Sequence, residues 1–175
     1  MSHLSAPVGS LDHIEGAFGA PVTLIEYGDF ECPYCGAMYG VIKAVQQAMG
    51  PQLRFVFRHF PLTDMHAHAL HAAQFSEAAA TQGKFWEAHD ILYENQTALS
   101  DTDLARYAAQ LGLHARDLAA AFEGTYDGRI QHDFDSGLRS GVNGTPTLFI
   151  NGQRYDGERD AETLLEALRA VARHV

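Results

Sequence analysis

The chain has two cysteines, Cys32 and Cys35, three residues apart. Residues 22–27 are β-branched and aromatic, which predicts a buried strand before the pair. Pro33 fits the first helical position, where no N–H is needed, so Cys32 is expected at a helix N-cap. The positive end of a helix dipole favours thiolate and lowers a cysteine pKa from about 8.5 to roughly 3.5–7.5. The arrangement predicts a redox-active dithiol.

The expected chemistry is thiol–disulfide exchange, with Cys32 as the exposed nucleophile and Cys35 more buried one turn into the helix. Residues three apart on a helix are about 5–6 Å apart between Cβ atoms, which is near disulfide reach. A mixed disulfide would form at Cys32 and be resolved by Cys35 or by a second substrate thiol. Glu26, in an otherwise apolar strand, is predicted to be buried with a raised pKa and to relay a proton for Cys35. The alternative for Glu26 is a strand-end glutamate that faces water.

Other roles for the cysteines remain open alternatives. A purely structural disulfide would close so short a loop that it adds little stability. A zinc half-site would need two further ligands, and no second Cys-x-x-Cys exists. We therefore predict no metal site and no cofactor beyond the redox-active disulfide. The histidines that make a zinc site conceivable are His59, His66, His68, His71 and His89.

The pattern along the chain predicts one α/β domain interrupted by helices. Short apolar runs at residues 22–27, 53–57 and 147–150 predict strands, and a stripe from Met38 to Met49 predicts the helix between the first two. Strand, helix and strand with short joints imply a right-handed parallel unit. The predicted parts are an N-terminal extension (1–19), an α/β domain (20–62 and 142–175) and a helical insertion (63–141).

The composition excludes several classes of protein. With 22 acidic and 12 basic residues the formal net charge is −10, which argues against nucleic-acid binding and against adsorption to anionic lipid. No apolar stretch reaches the roughly 18 residues of a membrane-spanning helix. Residues 1–19 lack the basic start and apolar run of a secretory signal, which predicts a cytoplasmic protein. The alternative is a periplasmic or extracytoplasmic protein whose leader has been removed.

Two segments resemble a known family. Residues 22–35, Val-Thr-Leu-Ile-Glu-Tyr-Gly-Asp-Phe-Glu-Cys-Pro-Tyr-Cys, are similar to the active-site segment of DsbA-type thioredoxin-fold proteins. Residues 141–152, Gly-Val-Asn-Gly-Thr-Pro-Thr-Leu-Phe-Ile-Asn-Gly, resemble the cis-proline loop of the same family. The similarity runs in the same order from about residue 12 to 170. It implies a thioredoxin fold, β-α-β and β-β-α, with a helical insertion between the second and third core strands.

The resemblance also implies roles for individual residues. Glu26 falls where such proteins carry a buried acidic residue. The Thr145–Pro146 bond is implied to be cis, although local sequence alone favours trans. Pro146 would pack against Cys32, and the loop backbone would pair with an extended substrate. The residues implied to border the substrate are Phe30, Tyr34 and Thr145.

Two departures from the family pattern leave the direction of electron flow open. The residues between the cysteines are Pro33 and Tyr34, without the histidine of strongly oxidising members, so a weaker oxidant is expected. The missing export signal fits a reductase in a reducing compartment. The predicted function is exchange with protein, peptide or small-molecule thiols, recycled by an unidentified redox partner. The alternative is a non-catalytic peptide-binding or chaperone module with the same fold.

Overall fold

A computed structural model describes residues 2–175 of the chain. Its strands are β1 (His13–Gly16), β2 (Val22–Gly28), β3 (Leu53–His59), β4 (Thr147–Ile150) and β5 (Gln153–Tyr155). They form one mixed sheet in the order β1-β3-β2-β4-β5. Strands β2 and β3 are parallel and the other neighbouring pairs are antiparallel. The sheet confirms the predicted β-α-β and β-β-α order.

Among residues 2–175, seven α-helices surround the sheet. They are α1 (Pro33–Met49), α2 (Ala69–Ala80), α3 (Phe85–Glu94), α4 (Asp101–Gln110), α5 (Ala115–Phe122), α6 (Asp127–Arg139) and α7 (Ala161–Ala172). Helix α1 buries one stripe at three- and four-residue spacing, as predicted: Met38, Ile42, Val45 and Met49. Helices α2 to α6 all lie between residues 63 and 141, the segment predicted as an insertion.

Strand β2 is buried along its whole length because both faces of the sheet are covered. Alternate side chains point to opposite faces, so Leu24 joins the larger core cluster with α1 and α7, while Ile25 and Tyr27 join a smaller cluster with Phe134 of α6. By the same alternation Glu26 shares the face of Leu24. The strand therefore directs a carboxylate toward the helix that carries the cysteines.

The β4–β5 hairpin turns at Asn151 and Gly152, whose φ angles are 46° and 82°. Both positive angles are those that a two-residue hairpin requires, and the Asn-Gly pair tolerates them. This turn fixes the register of β4, which pairs with β2 so that Leu148 lies opposite Glu26.

The predicted N-terminal extension contributes an edge strand. Residues 13–16 pair antiparallel with β3, and Ile14 lies opposite Val56. Arg58 also binds the residue just before this strand, because its guanidinium donates to the Asp12 carboxylate at 2.8 and 3.0 Å. The extension is thus an integral part of the sheet, which the sequence prediction did not include.

Candidate active site

Cys32 and Cys35 lie where β2 gives way to α1. Cys32 is the N-cap residue and the helix begins at Pro33, as predicted. Both cysteines are free thiols. Cys35 is 0% exposed and Cys32 only 3%, so the expectation of an exposed nucleophile is wrong. The Cys32 sulfur is covered because it lies against the Thr145 loop, 3.5 Å from the Thr145 carbonyl oxygen, to which the protonated thiol donates.

The environment drives the pKa values of the two thiols apart. The pKa of Cys32 is lowered to about 5, chiefly by the hydrogen bond from the Cys35 thiol, although burial opposes the shift. Thr145 and the backbone amides of Cys35 and Tyr34 lower it further. Burial raises the pKa of Cys35, and its hydrogen bond to Cys32 and the nearby charge of Glu26 raise it more. At neutral pH Cys32 is thus a thiolate and Cys35 a thiol.

Glu26 is the buried carboxyl group that the sequence predicted near the pair. It is 1% exposed, and burial raises its pKa to about 8, with a further contribution from the charge of Cys32. Its Oε1 atom has no hydrogen-bond partner within residues 2–175. A carboxyl group in this state is mostly protonated at pH 7 and titrates in a range useful for proton transfer.

The Thr145–Pro146 loop faces the cysteine pair from the other side. Its peptide bond is cis. Pro146 is buried and Thr145 is half-buried. The Thr145 hydroxyl is buried and makes no other hydrogen bond in the described part of the chain, so it is available to the Cys32 sulfur anion, whose pKa it lowers.

The residues predicted to border a substrate lie in different environments. Tyr34 is 72% exposed beside the pair, and Pro33 is exposed as well. Phe30 is 1% exposed and stacks on Phe57 with ring centroids 5.0 Å apart, so it lines no accessible surface. The prediction for Phe30 is wrong because its ring fills the core beneath the active-site turn.

Comparison with known proteins places this geometry in a family. Residues 10–170 match the family model described as thioredoxin. The chain belongs to the thioredoxin family. Similar solved structures include a thioredoxin-like oxidoreductase from Silicibacter pomeroyi, with a TM-score of 0.83, 25% identity and 95% coverage of both chains. Another is α-DsbA1 from Wolbachia pipientis, with a TM-score of 0.84 and 21% identity, covering 98% of this chain and 95% of that one. The fold of this thioredoxin-family chain is the DsbA type.

The curated proteins similar in sequence to this thioredoxin-family chain include several named as Na(+)/H(+) antiporters. Na(+)/H(+) antiporter NhaA 3 of Salinispora tropica is 45% identical over 91% of this chain and 24% of its own length. Na(+)/H(+) antiporter NhaA of Herminiimonas arsenicoxydans is 40% identical over 97% of this chain and 27% of its own. The chain therefore spans about a quarter of the length of these relatives.

These relatives overturn the predicted cytoplasmic location. Their name describes exchangers of ions across a membrane, and the cytoplasmic prediction is wrong on that finding. That prediction relied only on the composition of residues 1–19, which does not determine where the protein functions. In the part of the chain that the structure describes, none of the helices combines the length and the apolar character needed to span a membrane.

Gln96, just after α3, is a site residue of the thioredoxin-family chain that sequence reasoning missed. Its side-chain amide donates to the carbonyls of Phe30 at 2.8 Å and Cys32 at 2.9 Å. Gly36 makes room for it, because a Cβ there would lie 1.9 Å from Gln96 Oε1. The insertion thus holds the first turn of α1. The local sequence of Gln96 gives no sign of this role, which depends on a contact across more than sixty residues.

His66 lies near the cysteine pair, which the sequence did not predict. Its Nδ1 is 2.7 Å from Asp29 Oδ2, and the backbone carbonyl of Asp29 separately accepts the backbone N–H of Cys32 at 3.2 Å. Burial opposes protonation, but the hydrogen bond with Asp29 and the charges of Asp29, Cys32 and Glu31 raise the pKa of His66 overall. The sequence offered His66 only as a possible zinc ligand.

Proposed function

We propose that the chain is a thiol–disulfide oxidoreductase that works through a mixed disulfide at Cys32. The observation that carries the proposal is the placement of two free thiols in the first turn of α1, with Cys32 against the cis Thr145–Pro146 loop. Cys32, with a pKa of about 5, supplies a thiolate at neutral pH, whereas Cys35 is held as a thiol. Thiol–disulfide exchange requires this difference, because the Cys32 thiolate is the nucleophile and the Cys35 thiol reacts only after a mixed disulfide has formed.

The oxidising half-cycle starts from the Cys32–Cys35 disulfide. A substrate thiolate attacks Cys32 Sγ, a new S–S bond forms, and the electron pair of the broken bond passes to Cys35. The protonated Glu26 carboxyl, with its pKa of about 8, supplies the proton that Cys35 needs. A second substrate thiolate attacks the substrate sulfur of the mixed disulfide, and Cys32 leaves as a thiolate.

Substrates would be protein or peptide thiols that reach the Cys32 sulfur beside the Thr145–Pro146 loop. The loop backbone is proposed to pair with an extended substrate, and the exposed Tyr34 ring to contact it from the helix side. Phe30 takes no part in this surface. The partner that restores the Cys32–Cys35 disulfide is proposed to be an oxidant, a second protein or small molecule whose own disulfide is reduced to a dithiol in the exchange.

The thiolate stability indicates the redox potential. A pKa of about 5 lies between values of about 7 in thioredoxin and about 3.5 in the strong oxidant DsbA. A more stable thiolate favours the reduced form and makes the disulfide more oxidising. We propose a potential between about −270 and −120 mV, the values of those two proteins.

Single serine variants test the proposal. Cys32→Ser should lower insulin reduction and dithiol oxidation by a factor of about 10³ or more, because the nucleophile is lost. Cys35→Ser should instead accumulate a mixed disulfide with a peptide thiol, visible by mass spectrometry under non-reducing conditions. Full activity in Cys32→Ser would overturn the proposal. Absence of exchange in the unaltered protein, with peptide binding that survives loss of both cysteines, would favour the peptide-binding alternative.

A further inference from the structure

Three potential metal ligands meet in the core away from the cysteine pair. They are His13 on β1, His59 at the end of β3 and Glu77 on α2. The Nε2 atoms of both imidazoles are 2.7 Å from the same carboxylate oxygen, Glu77 Oε1. The side chains of His13, His59 and Glu77 are 15%, 1% and 7% exposed. The cluster is buried, with His13 on its more accessible side.

The donor chemistry suits a divalent transition ion. The Oε1 atom of Glu77 lies between the Nε2 atoms of both imidazoles, so one oxygen and two nitrogen ligand atoms already face a common point. Buried charges are normally paired or coordinated to metals. Two imidazole nitrogens and one carboxylate oxygen form the ligand set of many zinc sites that keep one position for water. From this geometry we propose that His13, His59 and Glu77 bind one Zn²⁺ ion.

Only small movements separate the present arrangement from a coordinating one. Zinc bonds of about 2.0–2.1 Å in a tetrahedral site place ligand atoms about 3.3 Å from each other. Because each Nε2–Oε1 distance is now 2.7 Å, each imidazole must withdraw by roughly 0.6 Å. All three ligand atoms already lie within 4.8 Å of one another.

Binding also requires each Nε2 to present its lone pair, so the proton must move to Nδ1 or be released. In His59 the Nδ1 atom is buried and has no hydrogen-bond partner among residues 2–175, so a proton can move there without breaking another bond. A histidine that binds a metal usually donates its other ring N–H to a hydrogen-bond acceptor, and loss of that acceptor weakens metal binding by about 10–100-fold. We therefore expect affinity in the micromolar rather than the nanomolar range.

The ion would join three separate parts of the chain: the N-terminal edge strand, the central sheet and the helical insertion. A ligand that binds the native state and not the unfolded chain raises stability by an amount that grows with the logarithm of its concentration relative to Kd. This site is distinct from a zinc half-site at the cysteines. Three of the other candidate histidines each contact a carboxylate outside this cluster: His66 with Asp29, His71 with Asp101 and His89 with Asp90.

The test uses the full chain with the Cys32–Cys35 disulfide formed, so that thiolates cannot bind the metal. After treatment with a chelator, Zn²⁺ is titrated in competition with a chromophoric indicator. We expect one Zn²⁺ per chain and a melting temperature that rises with Zn²⁺ concentration. Co²⁺ in the same site should show visible d–d absorption of a low-coordinate ion, a readout independent of any redox activity.

Variants assign the ligands. Glu77→Gln and His13→Ala should each weaken Zn²⁺ binding by a factor of about ten or more. If Glu77→Gln fails to fold, His13→Ala decides, because His13 lies on the edge strand. His71→Gln is the matched control, since His71 also contacts a carboxylate, at 2.5 Å, but on the exposed side; it should bind as the unaltered protein does. No binding at about 100 μM Zn²⁺ would overturn the proposal, and so would full binding in His13→Ala.

Discussion

Two buried glutamates, Glu26 and Glu77, have opposite protonation behaviour in this molecule. Glu26 lies 1% exposed next to the cysteine pair, and Glu77 lies 5% exposed between His13 and His59. Burial raises the pKa of Glu26 to about 8. Burial acts on Glu77 in the same direction, but hydrogen bonds from the two histidines reverse the result and lower its pKa.

The difference lies in pairing and not in depth. One oxygen of Glu26 has no partner within residues 2–175, whereas one oxygen of Glu77 accepts two hydrogen bonds of 2.7 Å. An unpaired buried carboxylate is costly when charged, so it holds a proton that it can give away. A paired carboxylate stays charged and joins the elements that contact it. The molecule therefore keeps its unpaired acid where proton transfer is proposed.

Removing the charge of Glu77 should cause the largest loss of stability. In metal-free protein Glu77→Gln should lower the free energy of unfolding by about 3 kcal/mol at pH 7, because a buried charged partner is lost. The pKa of Glu77 is lowered on folding, so its contribution is fully present above the ordinary value of 4.5 and is lost as pH falls below it. Urea unfolding at pH 7 and pH 4 measures both values.

The control for Glu77→Gln is His71→Gln, which removes an exposed imidazole–carboxylate contact. Exposed pairs contribute little, so we expect a change within about 0.5 kcal/mol. If Glu77→Gln changes the free energy of unfolding as little as His71→Gln does, pairing does not explain the difference between Glu77 and Glu26.

Removing the charge of Glu26 should act in the opposite direction. Its pKa is raised on folding, so stability is full below pH 4.5 and falls as the pH rises toward about 8. In reduced protein, the state to which this pKa applies, Glu26→Gln should therefore be more stable than the unaltered chain by roughly 4–5 kcal/mol at pH 9 and nearly equal at pH 4, since each pH unit between 4.5 and about 8 contributes about 1.4 kcal/mol. Unfolding curves at the two pH values measure the difference.

The same variant should exchange thiols more slowly at neutral pH, because the proton donor for Cys35 is lost. The inflection near pH 8 in the rate should also disappear. A variant that is stabilised at pH 9 but keeps the rate profile would show that Glu26 is buried without taking part in proton transfer.

Local sequence patterns were sufficient for the elements that carry the cysteines. The apolar run of β2, the proline at the start of α1 and the Asn151–Gly152 turn each specify structure over a few residues. Strand β1 was missed because His13–Gly16 contains a single large apolar residue and pairs only with the open edge of β3. Its formation depends on the rest of the sheet and not on its own propensity.

The side-chain environments of the site were harder to predict. Phe30 is two residues from Cys32, which suggested a surface position, but its ring is packed between Phe57 and Tyr93. The cluster at Glu77 brings together residues up to 64 positions apart. Such contacts follow from packing of the insertion on the sheet, for which the sequence has no local signal.

Gln96 tests the effect of pairing on a smaller scale. Its side-chain amide is hydrogen-bonded within the active site, which also contains the unpaired carboxyl group of Glu26. Gln96→Ala removes the hydrogen bonds to the Phe30 and Cys32 carbonyls. We expect a loss of about 1–2 kcal/mol in stability. We also expect a rise in the Cys32 pKa, because the amides of Tyr34 and Cys35 lower that pKa only while the first turn of α1 is held in place. Thiolate absorbance at 240 nm against pH measures the shift.

Gln131→Ala is the matched control, since Gln131 donates one hydrogen bond of 2.8 Å to Asp135 on an exposed helix face. It should leave the Cys32 pKa unchanged and alter stability by less than about 0.5 kcal/mol. If Gln96→Ala behaves like this control, the helix alone sets the thiolate, and the insertion contributes nothing to the chemistry. If the pKa rises, pairing at one residue governs the reactivity of another, although the two belong to different parts of the fold.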